Sequence, residues 1–171
     1  MLKKIREEVS EFIRCDEDIT PENLRKLKYL DCVLREVNRM NGPADILIDR
    51  IAIKDCKVAD VPIQKGTLTN YCYRASQYNT QYYDNPHEFI PERWLEDRYK
   101  EPGMVEISEM VFSFGPRTCI GKHLAWIEAK IAVIKILAKY KSAVYKGGKV
   151  IEFQAINQLR SGVVKVTPYT Q

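Results

Sequence analysis

One ten-residue segment, Phe112–Gly121, constrains the fold of this chain more than any other feature. It places two glycines, an arginine and a cysteine immediately before the strongest helical pattern in the sequence. There the apolar residues recur at intervals of four and three, the periodicity of one helix face, at Ile120, Leu124, Ile127, Ile131, Ile134 and Ala138. The pattern predicts a strand-to-helix junction with a cysteine at the start of a long helix.

The residue types in this segment suit a flat ligand that carries a metal. Gly115 and Gly121 have no Cβ, so the backbone can approach a large planar group closely. Cys119 lies where free N–H groups and the positive end of the helix dipole stabilise a thiolate. Arg117 offers a planar fork of donors that matches a carboxylate. Together these residues indicate a haem site with a cysteine ligand. The alternative is a buried cysteine with two turn glycines and a surface arginine.

The rest of the chain predicts further helices and a few short strands. An N-cap threonine, a proline and an acid at 20–22 start a helix, and an Asn-Gly-Pro run at 41–43 ends it. The predicted elements are helices over 1–14 and 22–40, a β-rich stretch over 44–75, an irregular segment over 76–110, the cysteine loop over 111–121, a helix over 120–140 and a hairpin over 150–168 that turns near Ser161 and Gly162. The expected fold class is mainly α with small β-sheets (α+β), in a single domain.

Composition excludes several classes of protein. A chain of 171 residues that is 45% hydrophobic and 29% charged is expected to fold, so wholesale disorder is excluded. A net charge of +4 without a nucleic-acid motif does not predict a nucleic-acid partner. No apolar run approaches the ~18–20 residues that span a bilayer.

The cysteines indicate free thiols in a reducing compartment, because their number is odd and no secretion signal precedes them. They are Cys15, Cys32, Cys56, Cys72 and Cys119. No two have the close spacing of a zinc site or a redox pair, and neither His87 nor His123 has a second ligand at metal spacing. Apart from the cysteine at 119, these residues are expected to be small buried hydrophobes.

The pattern Phe112-x-x-Gly115-x-Arg117-x-Cys119-x-Gly121 resembles the haem-binding signature of the cytochrome P-450 family at every defining position. The resemblance implies haem (iron protoporphyrin IX) as cofactor, Cys119 as the iron ligand, and the other four residues as cofactor-binding positions. It implies no catalytic residue in this chain beyond that ligand. Further segments agree with the family in order and spacing, so the whole chain resembles the C-terminal part of the P-450 fold, a single partial domain.

A second match is Glu36-x-x-Arg39, which resembles the family's Glu-x-x-Arg helix. Arg93, in the Pro-Glu-Arg-Trp run at 91–94, resembles the third member of the family's ion network. The resemblance implies a buried scaffold that locks the cysteine loop and takes no part in the chemistry. By spacing alone, Glu36 and Arg39 are equally a solvated i, i+3 pair on a helix surface.

Two further assignments follow from the family. Arg50 falls where the family often places an arginine on the second haem propionate, although its spacing equally fits an exposed arginine on an edge strand. The stretch after the Glu-x-x-Arg helix faces substrate in the family, which points to Ala44, Asp45, Ile46 and Leu47.

The resemblance also implies an activity and partners for the full-length protein. It would be a haem-thiolate monooxygenase that activates oxygen and inserts one atom into an apolar organic substrate. An electron-donating reductase would dock near lysines such as Lys122. Membrane contact would be made only through an N-terminal part, on the cytosolic face of the endoplasmic reticulum, whereas this chain carries no signal or transmembrane segment.

The family's central helix, with an acid-threonine pair beside the oxygen site, has no counterpart in this sequence. We therefore expect Met1 to begin a partial gene product, a truncation or a degenerate copy, and the isolated chain to be inactive. Two alternatives from other classes are a non-catalytic remnant or interaction module of the same fold and a basic nucleic-acid module, for which only the charge argues.

Overall fold

Helices and short turns dominate the structure, a computed structural model that describes residues 1–146 and 163–168. The α-helices are α1 (Leu2–Phe12), α2 (Pro21–Lys26), α3 (Lys28–Asn41), α4 (Tyr73–Gln77), α5 (Pro102–Ser108) and α6 (Lys122–Lys139). Short 3₁₀ turns occupy Asp16–Asp18, Pro91–Leu95, Asp97–Lys100, Met110–Phe112 and Gly115–Arg117. With the small sheets below, this confirms the predicted fold class, mainly α with small β-sheets.

The strands form separate two-stranded antiparallel sheets. They are β1 (Arg50–Ile51), β2 (Cys56–Val58), β3 (Val61–Ile63), β4 (Leu68–Thr69), β5 (Tyr140–Lys146) and β6 (Val163–Pro168). β1 pairs with β4, β2 with β3, and β5 with β6, the last with an irregularity between Tyr140 and Ser142. The strands between residues 50 and 69 are almost entirely exposed, so the helices carry most of the buried core.

The main hydrophobic core lies between α1, α2, α3 and α6. Its buried side chains are Ile5, Val9, Ile13, Leu24, Leu27, Leu30, Val33, Ile134 and Leu137. Ile5 and Val9 on α1, with Ile13 directly after it, recur every four residues, which places them on one face. The buried members on α6 belong to its C-terminal half, and the apolar side chains at its N-terminal end, next to the cysteine loop, are exposed.

A second, aromatic core orders the segment between α4 and α5. Tyr83 is fully buried, stacks on Tyr99 with the ring centroids 5.9 Å apart, and meets the edge of Trp94 at 6.0 Å. Cys32 of α3 completes this cluster. Because the aromatic rings bury a large apolar area, they hold a segment that has little regular structure of its own.

The helix predicted over 22–40 is two helices, because the chain leaves the helical conformation at Leu27. This fully buried residue has φ −76° and ψ 72°. The Glu8 carboxylate of α1 accepts hydrogen bonds from the amides of Tyr29, at 2.7 Å, and Leu30, at 2.9 Å. A side chain from another helix therefore satisfies the free N–H groups that the break creates at the start of α3.

Other boundaries follow or correct the prediction. Thr20 caps α2 as expected, accepting a 3.3 Å hydrogen bond from the Asn23 amide, and α3 ends at Asn41, the first residue of the predicted stop. The β-rich stretch predicted over 44–75 contains only the short strands β1 to β4, and α4 begins within it at Tyr73. The segment over 76–110, expected to be irregular, contains 3₁₀ turns and α5.

Both ends of the cysteine loop differ from expectation. A 3₁₀ turn, not a strand, precedes it, and the helix after it begins at Lys122. β6 pairs with β5, which directly follows α6, whereas the predicted turn near Ser161 and Gly162 lies outside the described residues. Among the described helices, none has both the length and the apolar character needed to span a bilayer.

Candidate functional site

The cysteine loop consists of tight turns ahead of α6. Ser113 follows the first 3₁₀ turn with φ +58°, and Gly115 opens the next with φ +64°. Glycine adopts this conformation without steric cost, whereas serine pays about 1–3 kcal/mol for it. The loop therefore stores backbone strain a few residues before Cys119.

The backbone of Cys119 is held on both sides. Its amide donates a 2.7 Å hydrogen bond to the Phe112 carbonyl, and its carbonyl accepts one from the Lys122 amide at 3.2 Å. The Phe112 ring packs against Trp126 of α6, with the centroids 5.9 Å apart. The Cys119 thiol itself is exposed, so the sulfur is accessible to a ligand that approaches from outside the chain.

The surface around this thiol is open and apolar. A Cβ built on Gly121 would have the Cys119 Sγ as its nearest neighbour, at 3.8 Å, and one built on Gly115 would meet nothing within 4 Å. The exposed apolar side chains of the loop and of the first turns of α6 are Phe114, Ile120, Leu124 and Ile127. Such a patch on a folded domain is typical of a surface that another group covers.

These residues fit a haem group held by a cysteine. A cysteine sulfur is an established type of haem iron ligand. Arg117 is exposed two residues before Cys119, and its guanidinium suits a propionate carboxylate. Gly121 leaves space beside the sulfur, Gly115 leaves open space elsewhere in the loop, and the exposed apolar side chains suit the faces of a porphyrin.

The structure brings Glu36, Arg39 and Arg93 together in a buried ion network. Arg39 donates two hydrogen bonds to the Glu36 carboxylate, from Nη2 to Oε1 at 2.9 Å and from Nε to Oε2 at 3.0 Å. The Nε of Arg93 donates to Oε1 at 3.1 Å. The side chains of Glu36 and Arg39 are inaccessible to solvent, so this is not the solvated pair that the spacing alone allows.

Backbone carbonyls and the Tyr99 hydroxyl accept hydrogen bonds from the remaining donors of the two arginines. Arg39 donates to the carbonyls of Gln77, Pro86 and Glu88 at 2.7–3.1 Å. Arg93 donates to the Asp84 carbonyl at 2.8 Å. Two cations thus surround one carboxylate, and the excess positive charge is spread over carbonyl oxygens of the segment before the cysteine loop.

Sequence reasoning gave no role to Trp94 and Ile90, which complete the shell of the Glu36 carboxylate. The Trp94 indole donates to Oε2 and the Ile90 amide donates to Oε1, both at 3.0 Å. The only signal was the position of the tryptophan directly after Arg93. Nothing in the sequence pointed to a role for Glu109, an acid that lies between the residues of the aromatic core and the cysteine loop.

Other predicted residues lie apart from this network. Arg50 is exposed on β1 and donates to the carbonyls of Ile48 and Asp49, at 2.8 and 3.1 Å. Of the stretch over 44–47, Ile46 is exposed and the others are half-buried. Asp45 in this stretch forms a 2.8 Å ion pair with Arg74 of α4.

Lys122, expected to be a docking lysine, is engaged elsewhere. Its ammonium donates a hydrogen bond to the Glu109 carboxylate, and only 22% of the side chain is exposed. It is therefore not a free surface cation.

A polar cluster links α1 and α3 to the turn that carries Arg93. The Glu92 carboxylate accepts hydrogen bonds from Lys4 Nζ at 2.7 Å and from the Tyr29 hydroxyl at 2.9 Å. These bonds, with that of Lys4 the stronger, lower the pKa of Glu92 to about 2. Burial and the hydrogen bond to Glu92 raise the pKa of Tyr29 to about 12.

Comparisons with known proteins agree with this geometry. The family model described as Cytochrome P450 matches residues 1–168. The putative cytochrome P450 CYP13A3 of Caenorhabditis elegans is 35% identical over 140 residues, which cover 81% of this chain and 26% of the relative. Cytochrome P450 4V2 of Rattus norvegicus is 36% identical over 139 residues, with the same two shares, 81% and 26%.

A solved structure has the same fold. The structure titled "Retinoic acid bound cyanobacterial CYP120A1" superposes with a TM-score of 0.82 at 25% identity, and the match covers 98% of this chain and 38% of that one. The chain thus spans about a quarter of the length of the curated relatives it matches. By its sequence and by its fold, the chain belongs to the cytochrome P450 family.

Proposed function

We propose that this chain is the haem-ligating C-terminal part of a cytochrome P450 monooxygenase. The observation that carries the proposal is the exposed thiol of Cys119, between two glycines, in a chain that belongs to this family. The bound haem would supply oxygen activation and the insertion of one oxygen atom into an apolar organic substrate.

In this proposal Cys119 is the sole protein ligand to the iron, and its thiolate donates electron density to it. Arg117 holds one propionate with its guanidinium fork. Arg50 holds the other, exchanging its present bonds to two nearby carbonyls for a charged partner. Gly121 keeps a side chain away from the space beside the sulfur, and Gly115 leaves the surface of the loop open.

Glu36, Arg39 and Arg93 have a scaffolding role. Their network joins α3 to the carbonyls of the segment before the cysteine loop. The network is buried, and the donors of both arginines are hydrogen-bonded to specific oxygen atoms. These bonds hold the segment in a single position against α3. It thereby supports the loop that carries the iron ligand and takes no part in the chemistry.

The substrate and partners of the whole protein follow from the same proposal. Ala44, Asp45, Ile46 and Leu47 face the apolar substrate, on a segment tied to α4 by the pair between Asp45 and Arg74. A reductase supplies the electrons, and a part of the protein beyond this chain contacts the endoplasmic reticulum membrane from its cytosolic side. The 171-residue chain alone is expected to be inactive, because it spans a quarter of its relatives.

The test is made in the full-length protein that contains this chain. Carbon monoxide added to the reduced, haem-loaded protein should give the strongly red-shifted Soret band of thiolate ligation. Cys119→Ser should abolish this band, because the hydroxyl donates less electron density to the iron.

Matched controls come from Cys56 and Cys72, which are exposed and not buried as the sequence predicted. Cys56→Ser and Cys72→Ser should leave the band in place. A band that survives Cys119→Ser would contradict the proposal. Full-length protein that folds but takes up no haem would instead favour a non-catalytic remnant of the fold.

A further inference from the structure

A single carboxylate, that of Glu109, lies between two cations next to the cysteine loop. Its Oε1 is 3.3 Å from Nη2 of Arg35 on α3, and its Oε2 accepts a hydrogen bond from the ammonium of Lys122, the first residue of α6. The exposed fractions of the three side chains are 19%, 32% and 22%, so water screens these contacts only in part. Glu109 is therefore a partly buried junction between two helices and the turn that precedes the loop.

The same glutamate closes a ring of hydrogen bonds through the iron-ligand position. The Phe112 amide donates to the Glu109 carbonyl at 2.9 Å, the Cys119 amide to the Phe112 carbonyl at 2.7 Å, and the Lys122 amide to the Cys119 carbonyl at 3.2 Å. The ammonium of Lys122 then returns to the carboxylate of Glu109. Three links are backbone bonds, and the fourth is the ion pair.

The ion pair is the link that depends on side-chain chemistry. Lys122 stands in the first turn of α6, where the helix dipole disfavours a cation. Without the Glu109 carboxylate, the Lys122 ammonium is expected to move out of the ring and be solvated by water. Arg35 anchors the carboxylate from the other side, and it is the neighbour in sequence of Glu36. The ring is thereby connected to the helix that carries the buried ion network.

We propose that Glu109 is a positioning residue for Cys119. Through Lys122 it holds the backbone on both sides of this cysteine and thereby fixes the base from which the sulfur projects. The inference rests on the proposed function, in which Cys119 ligates the haem iron. Glu109 lies outside the signature segment, and the ring that it closes is visible only in the folded chain.

The variants are chosen to separate charge from shape. Glu109→Gln keeps the size and an accepting oxygen but removes the charge, and Lys122→Met removes the cation. Lys122→Arg keeps the cation and is the conservative replacement. Glu106→Gln is the matched control, because this exposed residue of α5 undergoes the same change of charge three positions earlier.

The first measurement does not depend on haem. Amide hydrogen exchange in the full-length protein, read on peptides that cover residues 109–122, should become about tenfold or more faster in Glu109→Gln and Lys122→Met, the scale of a lost charged hydrogen bond. Lys122→Arg and Glu106→Gln should exchange like the parent. The Ile13 amide, bonded to the Val9 carbonyl at 2.8 Å on α1, is an internal reference.

The second measurement is spectroscopic. At equal haem content, Glu109→Gln and Lys122→Met should convert a larger fraction of the reduced carbon monoxide complex to a form without the strongly red-shifted band. Lys122→Arg should show the same fraction as the parent protein. If Glu109→Gln does not fold, the Met and Arg replacements of Lys122 make the same comparison.

The outcomes separate the two proposals. If Cys119→Ser abolishes the band while Glu109→Gln leaves both exchange and band unchanged, the inference about Glu109 is wrong and the proposed function stands. Faster exchange with an unchanged band would also overturn it, because Glu109 would then stabilise the loop without positioning the ligand. If the band survives Cys119→Ser, the proposed function fails, and the positioning role fails with it.

Discussion

The indole Nε1 of Trp94 donates a 3.0 Å hydrogen bond to the Glu36 carboxylate, although the two residues are 58 positions apart in the chain. With the bonds from Arg39, Arg93 and Ile90, the carboxylate accepts five hydrogen bonds. No buried side-chain nitrogen or oxygen among the described residues lacks a partner. Because the carboxylate is fully satisfied, its loss should affect every segment that converges on it.

Glu36→Gln should therefore destabilise the protein by about 3–5 kcal/mol, because it leaves the buried charges of Arg39 and Arg93 without a counterion. Urea unfolding measures the loss, and haem content of the full-length protein should fall with it. Glu106→Gln, an exposed change of the same charge, is the control and should cost less than about 0.5 kcal/mol. A cost below about 1 kcal/mol for Glu36→Gln would mean that the network does not stabilise the fold.

Glu8→Ala should destabilise the protein by about 1–2 kcal/mol, because its carboxylate caps the first turn of α3 through the amides of Tyr29 and Leu30. The neighbouring Glu7 is exposed, and its Oε1 lies 3.8 Å from Nζ of Lys3. Glu7→Ala is therefore a matched control, expected to change the free energy of unfolding by about a few tenths of a kcal/mol. Equal unfolding midpoints for the two variants would show that the cap does not hold the helix break in place.

The cluster around Glu92 should make stability depend on pH at both extremes. Folding lowers the pKa of Glu92 from 4.5 to about 2, so its contribution is present above pH 4.5 and is lost as the pH falls toward 2. Folding raises the pKa of Tyr29 from 10.0 to about 12, so its contribution is present below pH 10 and is lost as the pH rises toward 12.

Glu92→Gln tests the acid branch. The Glu92 side chain is 44% exposed, so solvent screening limits its contribution near pH 7 to below about 1 kcal/mol. The difference in unfolding free energy between parent and variant should shrink between pH 4.5 and pH 2. Urea titrations across this range measure it, with exposed Glu96→Gln as control. A difference that does not change with pH would contradict the assignment.

Gly115 and Gly103 form a matched pair for the backbone of the cysteine loop. A Cβ at either position would meet nothing within 4 Å, but only Gly115 of the two has a positive φ, +64°. Gly115→Ala should destabilise by about 1–2 kcal/mol from backbone strain alone. Gly103→Ala, within α5, should stabilise by about 0.5–1 kcal/mol. Thermal unfolding of both variants checks the sign, and two shifts of the same sign would contradict the conformation of the loop.

Local sequence patterns were sufficient to predict the family and the fold class. The spacing from Phe112 to Gly121 needs no partner elsewhere in the chain to be recognised, and a threonine followed by a proline marks a helix start through contacts within one turn. The Glu-x-x-Arg pair is equally local. Such features are set by neighbouring residues, so they can be read from one sequence.

Long-range contacts decided the rest. The break at Leu27 depends on Glu8, the environment of Glu36 on residues more than fifty positions away, and the engagement of Lys122 on Glu109. In each case the charged side chain could bond to any of several helix ends or backbone groups. The residues next to it in the sequence do not determine which of them it contacts. Only the packing of α1, α3 and α6 with one another and with the segment between α4 and the cysteine loop brings one of these partners within hydrogen-bond distance, because buried charges must be paired where the core closes around them.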